Sequence, residues 1–456
     1  MTHLFEYQNK ETFNGSMDAL ETFLDSVWSK RERFAQPESE EDSLLEAQRF
    51  LQFIHKTKEI KSNKYIGVIQ FEGERIQLHP KLFYQAGQQP SEDGQAQIQN
   101  HILWWLSYCR KIKFPNYQTS LGQSKSDFLE LIIYLFSKYT RELLHSSVYR
   151  RYEEESDELT HVKGRINTDR YIARNLSRAH WHKIHCTFDS FNVDNQFNRI
   201  IKYVASLLFN VTQEQENKKF LREILFLLDE VSDERVTAEH CDRIHFNPMF
   251  SAFETVRDYC KLFLSSSVSF NYKNELKLFA FLLPMEYVFE DFIYGFIERE
   301  LSEVKVKAQR SDTYLDEEHT FMLRPDLWIE TPEKKFIADT KYKIIYSDTT
   351  DPKGGISQSD IYQMITYAMR FNVSEIKLLY PTTINTQSLG SKQIVVRDAI
   401  AGNHPIQITA HQIPIINQNL MNSPISRQAR INELFEETRL ELKHALEKCF
   451  GSSGIG

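Results

Sequence analysis

Apolar and polar residues alternate over one stretch near the start of the chain, "KYIGVIQFEGERIQLHPKLF" at residues 64–83. The alternation is interrupted at Glu72, Gly73 and Glu74, and a glycine-containing break of this kind is typical of a turn between two antiparallel strands. A polar loop follows, and the apolar stretch "ILWWLSYCRKI" then predicts a helix. We therefore expect a mixed α/β module over residues 1–120.

The spacing of apolar residues changes to a helical period between residues 121 and 270. The stretches "SDFLELIIYLFSKYTRELL", "NQFNRIIKYVASLLF" and "FLREILFLLDEV" place apolar residues three and four positions apart. This pattern predicts a helical middle domain. If its basic segment "TDRYIARNLSRA" is also helical, Arg170, Arg174 and Arg178 share one face. That face is either a solvated helix surface or a contact for phosphates or a partner.

Helix and strand patterns alternate from residue 271 to residue 456. Helical spacing in "PMEYVFEDFIYGFIERELS" and "SQSDIYQMITYAMRF" is separated by strand-like segments near residues 303–345. Further strands are predicted in "EIKLLYP", "KQIVVRD" and "HPIQITAHQIPI", and a closing helix in "SRQARINELFEETRLELKHALEKCF". This order is typical of a three-layer α/β unit, so the predicted fold class is a multidomain α/β protein.

Two aspartates and a lysine fall on what otherwise predicts two buried strands, in "LRPDLWIETPEKKFIADTKYK" at residues 323–343. With residues 331–334 as a tight turn, antiparallel pairing places Asp326 opposite Asp339. Directly opposed residues are about 4.5 to 5.5 Å apart at Cβ. Lys341 lies two positions beyond Asp339 and therefore on the same face. Two carboxylates this close repel each other unless a cation joins them, so the hairpin predicts a metal site.

Hard carboxylate oxygens suit Mg²⁺ or Mn²⁺. Such an ion polarises a phosphate and lowers the pKa of a bound water, while a neighbouring lysine orients that water or neutralises charge on phosphorus. The pattern therefore predicts metal-dependent phosphodiester hydrolysis. The same spacing also arises by chance in a surface hairpin with scattered charges. The next helix places Gln363 and Tyr367 on one face and begins with a motif resembling a capping box at Ser357 and Asp360.

Composition narrows the class of protein further. The chain has 456 residues, of which 41% are hydrophobic, and a formal net charge of -8, which does not indicate a general nucleic-acid-binding surface. Any contact with DNA must therefore come from local patches or from a partner. The sequence contains no apolar run of about 18 residues and no secretory signal, so we expect a cytoplasmic protein without a membrane span. The Gly354-Gly355 pair is not followed by the lysine of a nucleotide-binding loop.

Three of these motifs, "RPD", "ADTKYK" and "SQSDIYQMITYA", resemble in this order the PD-(D/E)XK (restriction-endonuclease-like) nuclease core of the McrC family. Upstream, "VYRRYEEESDELTHVKGRI", "FDSFNVDNQFNRIIK" and "FEDFI" also occur in the family's order. The resemblance implies a DNA endonuclease, the nuclease subunit of the McrBC 5-methylcytosine-specific restriction system. It also implies a partner, a hexameric AAA+ GTPase of the McrB type. That partner recognises modified cytosine in double-stranded DNA, and the N-terminal module docks on it and stimulates it.

The resemblance assigns roles to individual residues. Asp326 and Asp339 match the acidic motif residues that hold the metal, and Lys341 matches the motif lysine. Gln363 and Tyr367 match a helix that supports the scissile strand or the lysine.

A third acidic residue, Glu290 in "VFEDF", matches a helix residue that contacts the metal in many such nucleases, although Glu286 and Asp291 lie nearby. The resemblance implies no cofactor other than the metal. Candidate contacts for DNA phosphates are four basic residues, Arg170, Arg174, Arg178 and Lys343.

Two other functions remain open from the sequence. The chain is also compatible with a catalytically silent adaptor that activates an AAA+ motor and uses the nuclease fold as a platform. It is compatible as well with a nuclease that cuts without a partner. Only the nuclease hypotheses require Asp339 and Lys341 for DNA cleavage.

Overall fold

The structure is a computed structural model that divides into two compact units. One unit combines residues 1–131 with 266–456, and the other comprises residues 132–265. The division into three domains predicted from the sequence is finer than this and stays a prediction. The residues described are 2–30, 50–71, 73–110, 127–272, 275–308, 313–346, 351–397, 405–421 and 431–451.

Strands and helices are numbered here in chain order within the described residues. The strands are β1 (Thr2–Phe5), β2 (Lys10–Thr12), β3 (Leu51–Ile54), β4 (Glu59–Ser62), β5 (Tyr65–Phe71), β6 (Glu74–His79), β7 (Arg151–Leu159), β8 (Arg165–Ile166), β9 (Ile184–Asn192), β10 (Ser267–Tyr272), β11 (Glu275–Pro284), β12 (Lys305–Ala308), β13 (Thr313–Tyr314), β14 (Met322–Leu323), β15 (Leu327–Glu330), β16 (Lys335–Thr340), β17 (Glu375–Pro381), β18 (Ser391–Arg397) and β19 (Pro405–Ile413). The α-helices are α1 (Met17–Lys30), α2 (Glu92–Tyr108), α3 (Phe128–Ser146), α4 (Thr168–Arg170), α5 (Gln196–Val211), α6 (Gln215–Leu227), α7 (Ala238–Asp242), α8 (Ala252–Ser266), α9 (Met285–Glu300), α10 (Gln358–Phe371), α11 (Gln418–Met421), α12 (Ile431–Leu434) and α13 (Glu436–Phe450). Across these ranges, no helix is both long enough and apolar enough to cross a membrane.

The predicted N-terminal hairpin forms the middle of a five-stranded sheet with the order β1-β6-β5-β11-β10. Strands β5 and β6 are antiparallel, with Phe71 opposite Glu74, as the sequence predicted. Strand β11, which lies beyond residue 270 in the chain, pairs with β5 in the same sheet. A Cβ atom on Gly67 would lie 2.0 Å from the carbonyl oxygen of Phe281 on β11, so the two strands meet where only glycine fits.

The C-terminal sheet is six-stranded, with the order β12-β15-β16-β17-β19-β18. Its hairpin β15–β16 has the register predicted from the sequence, with Leu327 opposite Ala338 and Glu330 opposite Lys335. Strands β16, β17 and β19 run parallel, so their carboxyl ends lie at one edge of the sheet. Helix α10 packs on the face that contains Ile337, and α13 contacts the opposite face.

Residues 132–265 contain helices α5 to α8 and a three-stranded sheet with the order β7-β9-β8. The prediction of a helical middle domain is therefore incomplete. Strand β7, "RYEEESDEL", is acidic and contains no β-branched residue, so its composition did not indicate a strand. Its nine residues are paired throughout with β9, and this tertiary pairing determines its conformation.

Helix α2 fixes residues near the start of the chain to the end of the C-terminal sheet. The Trp105 indole donates a hydrogen bond of 3.1 Å to the carbonyl of Ile415. The backbone N–H of Asn417 donates to Nε2 of His101, at 2.9 Å, and Nδ1 of the same ring lies 2.7 Å from the carbonyl of Gln97. With both ring nitrogens used in this way His101 is neutral, and burial lowers its pKa to about 4.

Acidification from pH 7 to pH 5 is expected to destabilise the protein through His101. The ring protonates near pH 6.5 in an unfolded chain, whereas in the folded protein it stays neutral down to about pH 4. The unfolded state therefore binds more protons between these values, and the free energy of unfolding falls by on the order of 1 kcal/mol per pH unit. Urea unfolding at both pH values should show a smaller loss for His101→Gln than for the wild type. Equal losses in the two proteins would contradict this assignment.

Candidate active site

The two predicted aspartates lie together at the carboxyl end of β16. Asp339 is on the strand itself, and Asp326 directly precedes the partner strand β15. The Asp326 carboxylate accepts hydrogen bonds from the backbone N–H and the hydroxyl of Thr340, at 2.8 and 2.7 Å. The hairpin register therefore holds Asp326 next to the end of β16, as the sequence predicted.

Asp339 is buried in an environment that disfavours its charge. Its exposed fraction is 1%, and burial, followed by repulsion from Asp326, raises its pKa to about 8. Lys341 Nζ lies 2.7 Å from Oδ2. Oδ1 receives no hydrogen bond from any described residue. A buried carboxylate oxygen without a donor is costly, and a cation ligated at this oxygen would remove that cost.

Lys341 is positioned by both its backbone and its side chain. Its N–H donates to the carbonyl of Leu379 on β17, at 2.9 Å, which extends the parallel ladder by one residue. Its ammonium group contacts Asp339 and donates to Oε1 of Gln363, at 3.0 Å. Burial opposes the charged form of Lys341, but the Asp339 and Asp326 carboxylates outweigh burial and raise its pKa.

A chain of hydrogen bonds fixes the amide of Gln363. Its Nε2 donates to the Tyr367 hydroxyl, at 2.9 Å, and that hydroxyl donates to the carbonyl of Arg324, at 3.1 Å. Because the amide nitrogen is used in this way, its oxygen faces Lys341. Gln363 and Tyr367 are one turn apart on α10, as predicted, and the structure brings Gln363 to the lysine and Tyr367 to Gln363.

The contacts of Asp360 differ from those predicted from the sequence. The predicted capping box does not form, because the Ser357 side chain makes no capping hydrogen bond and bonds to Ser359 instead. Asp360 is buried and accepts from Lys343 Nζ, at 2.8 and 3.0 Å. The spacing could have predicted that Asp360 lies on the same face of the helix as Gln363 and Tyr367, because these follow it by three and seven residues.

The side chains described above combine three carboxylates with two lysines, and therefore carry one excess negative charge when all are ionised. They are Asp326, Asp339, Asp360, Lys341 and Lys343. Protonation of Asp339 removes this excess charge, and the raised pKa of Asp339 favours that protonation. A bound cation would also remove the excess. The oxygen donors of Asp326 and Asp339 thus fit a hard divalent ion such as Mg²⁺.

The third predicted ligand, Glu290, lies on α9 and is partly exposed. The carboxylate oxygens of Glu290, Asp326 and Asp339 do not all lie within 4.8 Å of one another. Its role in holding a metal stays a prediction.

The predicted arginine stripe lies in the other unit, residues 132–265. Arg170, Arg174 and Arg178 are exposed, but their segment forms consecutive short α, π and 3₁₀ turns rather than one α-helix. The regular spacing on which the stripe was predicted therefore does not apply. The exposed side chains remain candidates for phosphate contacts.

Together, the fold and this site define a mixed α/β protein with an acidic, lysine-containing site at the ends of parallel strands. A family model described as McrBC 5-methylcytosine restriction system component matches residues 60–381, and the chain belongs to this family.

Comparison with solved structures places the chain near two assemblies from Thermococcus gammatolerans. One is a refined half-complex from a tetradecameric assembly of McrB AAA+ hexamers with bound McrC, with a TM-score of 0.68 and 17% identity over 98% of this chain and 99% of that chain. The other is the cryo-EM structure of the McrBC complex, with a TM-score of 0.49 and 20% identity over 66% of this chain and 88% of that chain. The first match shows a shared fold. No curated protein matches the chain.

Replacing Tyr367 with phenylalanine is expected to destabilise the protein by about 1 kcal/mol, because the Gln363 amide and the Arg324 carbonyl lose a buried partner. Tyr362→Phe, on the same helix but 60% exposed, is the matched control and should change stability by less than about 0.5 kcal/mol. Urea unfolding of both variants measures the difference. Similar values for the two would contradict the proposed hydrogen-bond chain.

Proposed function

We propose that the chain is the DNA-cleaving subunit of a modification-dependent restriction complex and hydrolyses phosphodiester bonds with Mg²⁺ or Mn²⁺. The observation that carries this proposal is the buried Asp339, with Asp326 and Lys341 beside it, at the end of β16. Membership in the family of McrBC restriction system components supports the same function.

Asp326 and Asp339 would hold the metal, with Glu290 as the proposed third ligand. When bound, the ion supplies a polarised phosphate and a water of lowered pKa. The protein supplies charge and orientation. The Lys341 ammonium group lies 2.7 Å from Oδ2 of Asp339 and donates a hydrogen bond to Gln363. An ammonium group has three N–H donors, so it can also donate to the attacking water or a phosphate oxygen.

Gln363 and Tyr367 would act by holding this ammonium group in place. Because the Gln363 oxygen and the Asp339 carboxylate both attract it, Lys341 is restrained before DNA binds. Preorganised charge of this kind stabilises the negative charge that develops during phosphoryl transfer without a cost of reorganisation.

The proposed partner is an McrB-like hexameric AAA+ GTPase that recognises modified cytosine and moves double-stranded DNA. The similar chain of known structure comes from an assembly of McrB AAA+ hexamers with bound McrC, which supports this partner. Residues 1–120 are the proposed docking module. Arg170, Arg174 and Arg178 are exposed and suited to phosphate contacts, whereas Lys343 is already paired with Asp360.

Plasmid cleavage by the chain together with its AAA+ partner, GTP and Mg²⁺ tests the nuclease function. Cleavage of methylated DNA is expected to fall at least about 100-fold in Asp339→Asn and Lys341→Ala, because each removes a charge at the reacting phosphate. Lys335→Ala, an exposed lysine on the same strand, is the matched control and should cut normally. If wild type never cuts but still accelerates GTP hydrolysis by the partner, the protein is an adaptor. Cleavage without the partner would instead favour a nuclease that acts alone.

Divalent-ion binding can be measured separately from cleavage. Saturation with Mg²⁺ at about 100 times its dissociation constant is expected to stabilise the isolated chain by about 2.7 kcal/mol, seen as a rise in its thermal midpoint. The rise should disappear in Asp326→Asn and Asp339→Asn and persist in Gln363→Ala, which removes no ligand. Glu290→Gln reports whether that residue is a third ligand. An unchanged rise in both aspartate variants would place the ion elsewhere.

A further inference from the structure

The lysine of the site belongs to a three-residue turn, Lys341 to Lys343, that directly follows β16. The N–H of Lys343 donates to the carbonyl of Lys341, at 2.8 Å, which closes the turn around Tyr342. The side chains of the two lysines extend to Asp339 and Asp360. The position of the turn therefore determines where both ammonium groups lie.

Tyr342 is held by residues from the opposite end of the chain. Lys81 Nζ donates to the Tyr342 carbonyl, at 2.7 Å, and also lies 4.2 Å from the centre of its ring. The Tyr342 hydroxyl donates to Oε2 of Glu6, at 3.0 Å. With an exposed fraction of 3%, Tyr342 makes these contacts out of reach of bulk water.

The N-terminal sheet places Glu6 and Lys81 together. They follow strands β1 and β6, which are parallel neighbours, so both residues emerge at the same edge. The N–H of Glu6 donates to the His79 carbonyl, at 3.0 Å, and the N–H of Lys81 donates to Glu6 Oε2, at 3.2 Å. The Glu6 carboxylate thus links the two strand ends to the Tyr342 hydroxyl.

Burying the charged groups of Glu6 and Lys81 is an unfavourable way to stabilise the fold. Glu6 is fully buried, its Oε1 has no hydrogen-bond partner within the described residues, and Lys81 is 9% exposed. Burying a carboxylate and an ammonium group costs several kcal/mol per ion, and apolar residues of similar size often stabilise a protein at least as well. Burial also raises the pKa of Glu6 to about 7. A role in fixing geometry explains why charged groups occupy this position.

We propose that Lys81 and Glu6 are positioning residues for the nuclease site, and that they act by holding the Tyr342 peptide and thereby Lys341. This inference rests on the proposed function. It makes the site dependent on the N-terminal module, because two of the groups that define the lysine turn come from residues 1–120. The same module is the proposed docking surface for the AAA+ partner, so one module serves both docking and the lysine turn.

Single-turnover cleavage by the full-length chain with its AAA+ partner, GTP and Mg²⁺ tests the proposal. Lys81→Met keeps the aliphatic stem and removes the donor, and Tyr342→Phe keeps the ring and removes the hydroxyl. We expect Lys81→Met to lower the cleavage rate constant at least about tenfold, the equivalent of losing a hydrogen bond from a charged group. The affinity for DNA, the stimulation of GTP hydrolysis and the thermal shift with Mg²⁺ should stay within twofold of wild type.

A double-mutant cycle separates positioning from general destabilisation. Lys81 and Gln363 both act on Lys341, so the loss in Lys81→Met with Gln363→Ala should be smaller than the product of the two single losses. His101→Gln weakens a distant contact in the same unit. Its loss in cleavage rate should multiply with that of Gln363→Ala, as the losses of independent changes do. If Lys81→Met does not fold, the same cycle with Tyr342→Phe decides.

The outcomes distinguish this proposal from the proposed function. Absence of cleavage by wild type overturns the nuclease function and the positioning role with it. Cleavage by wild type, with rates within twofold in both Lys81→Met and Tyr342→Phe, overturns the positioning role alone. Losses that multiply with that of Gln363→Ala would show a structural role and would also overturn it.

Discussion

The buried carboxylate of Asp339 is the constraint on which the candidate site depends. It lies on a central strand of the six-stranded sheet, where water cannot solvate its charge. A buried charge is tolerated only when a partner of opposite sign or a set of donors accompanies it. Lys341 supplies the opposite charge, and Gln363, itself fixed by Tyr367, keeps the ammonium group in place. One oxygen of Asp339 still has no donor among the described residues, so the compensation is incomplete without a cation.

Lys341 can compensate the charge of Asp339 only if the backbone after β16 is placed accurately. Lys341 is bonded to β17, which fixes the start of the turn, and the Tyr342 peptide is held by Lys81 from the N-terminal sheet. Elsewhere, Trp105 on α2 donates a hydrogen bond to Ile415, just beyond β19, so the helix after the N-terminal sheet also contacts the C-terminal part of the chain. The first and last parts of the chain therefore form one unit for a physical reason: each provides groups that the other needs to bury its polar atoms.

The sequence predicted those features of the fold and site that depend on short-range pattern. The register that places Asp326 beside Asp339 follows from the two-residue period of strands and a four-residue turn. The contact from Lys81 could not be predicted in the same way, because Lys81 and Tyr342 are far apart in the chain. The position of β11 in the N-terminal sheet was not predicted either, because it depends on pairing with β5, which is distant in the chain. The acidic β7 forms a strand for the same reason, through its pairing with β9. The family resemblance supplied the roles of the motif residues, whereas the spacing alone also fitted a surface hairpin with scattered charges.

The arrangement of polar groups also bears on the choice between a nuclease and a silent adaptor. An adaptor that uses the fold only as a platform gains nothing from a buried carboxylate with an unpaired oxygen, because asparagine or an apolar residue at position 339 would cost less. It also has no use for an amide whose orientation is fixed so that its oxygen meets Lys341. Groups that destabilise the fold but converge on one point are expected where function requires them. The costs concentrated around Asp339 and Lys341 therefore support the proposed nuclease function over the adaptor.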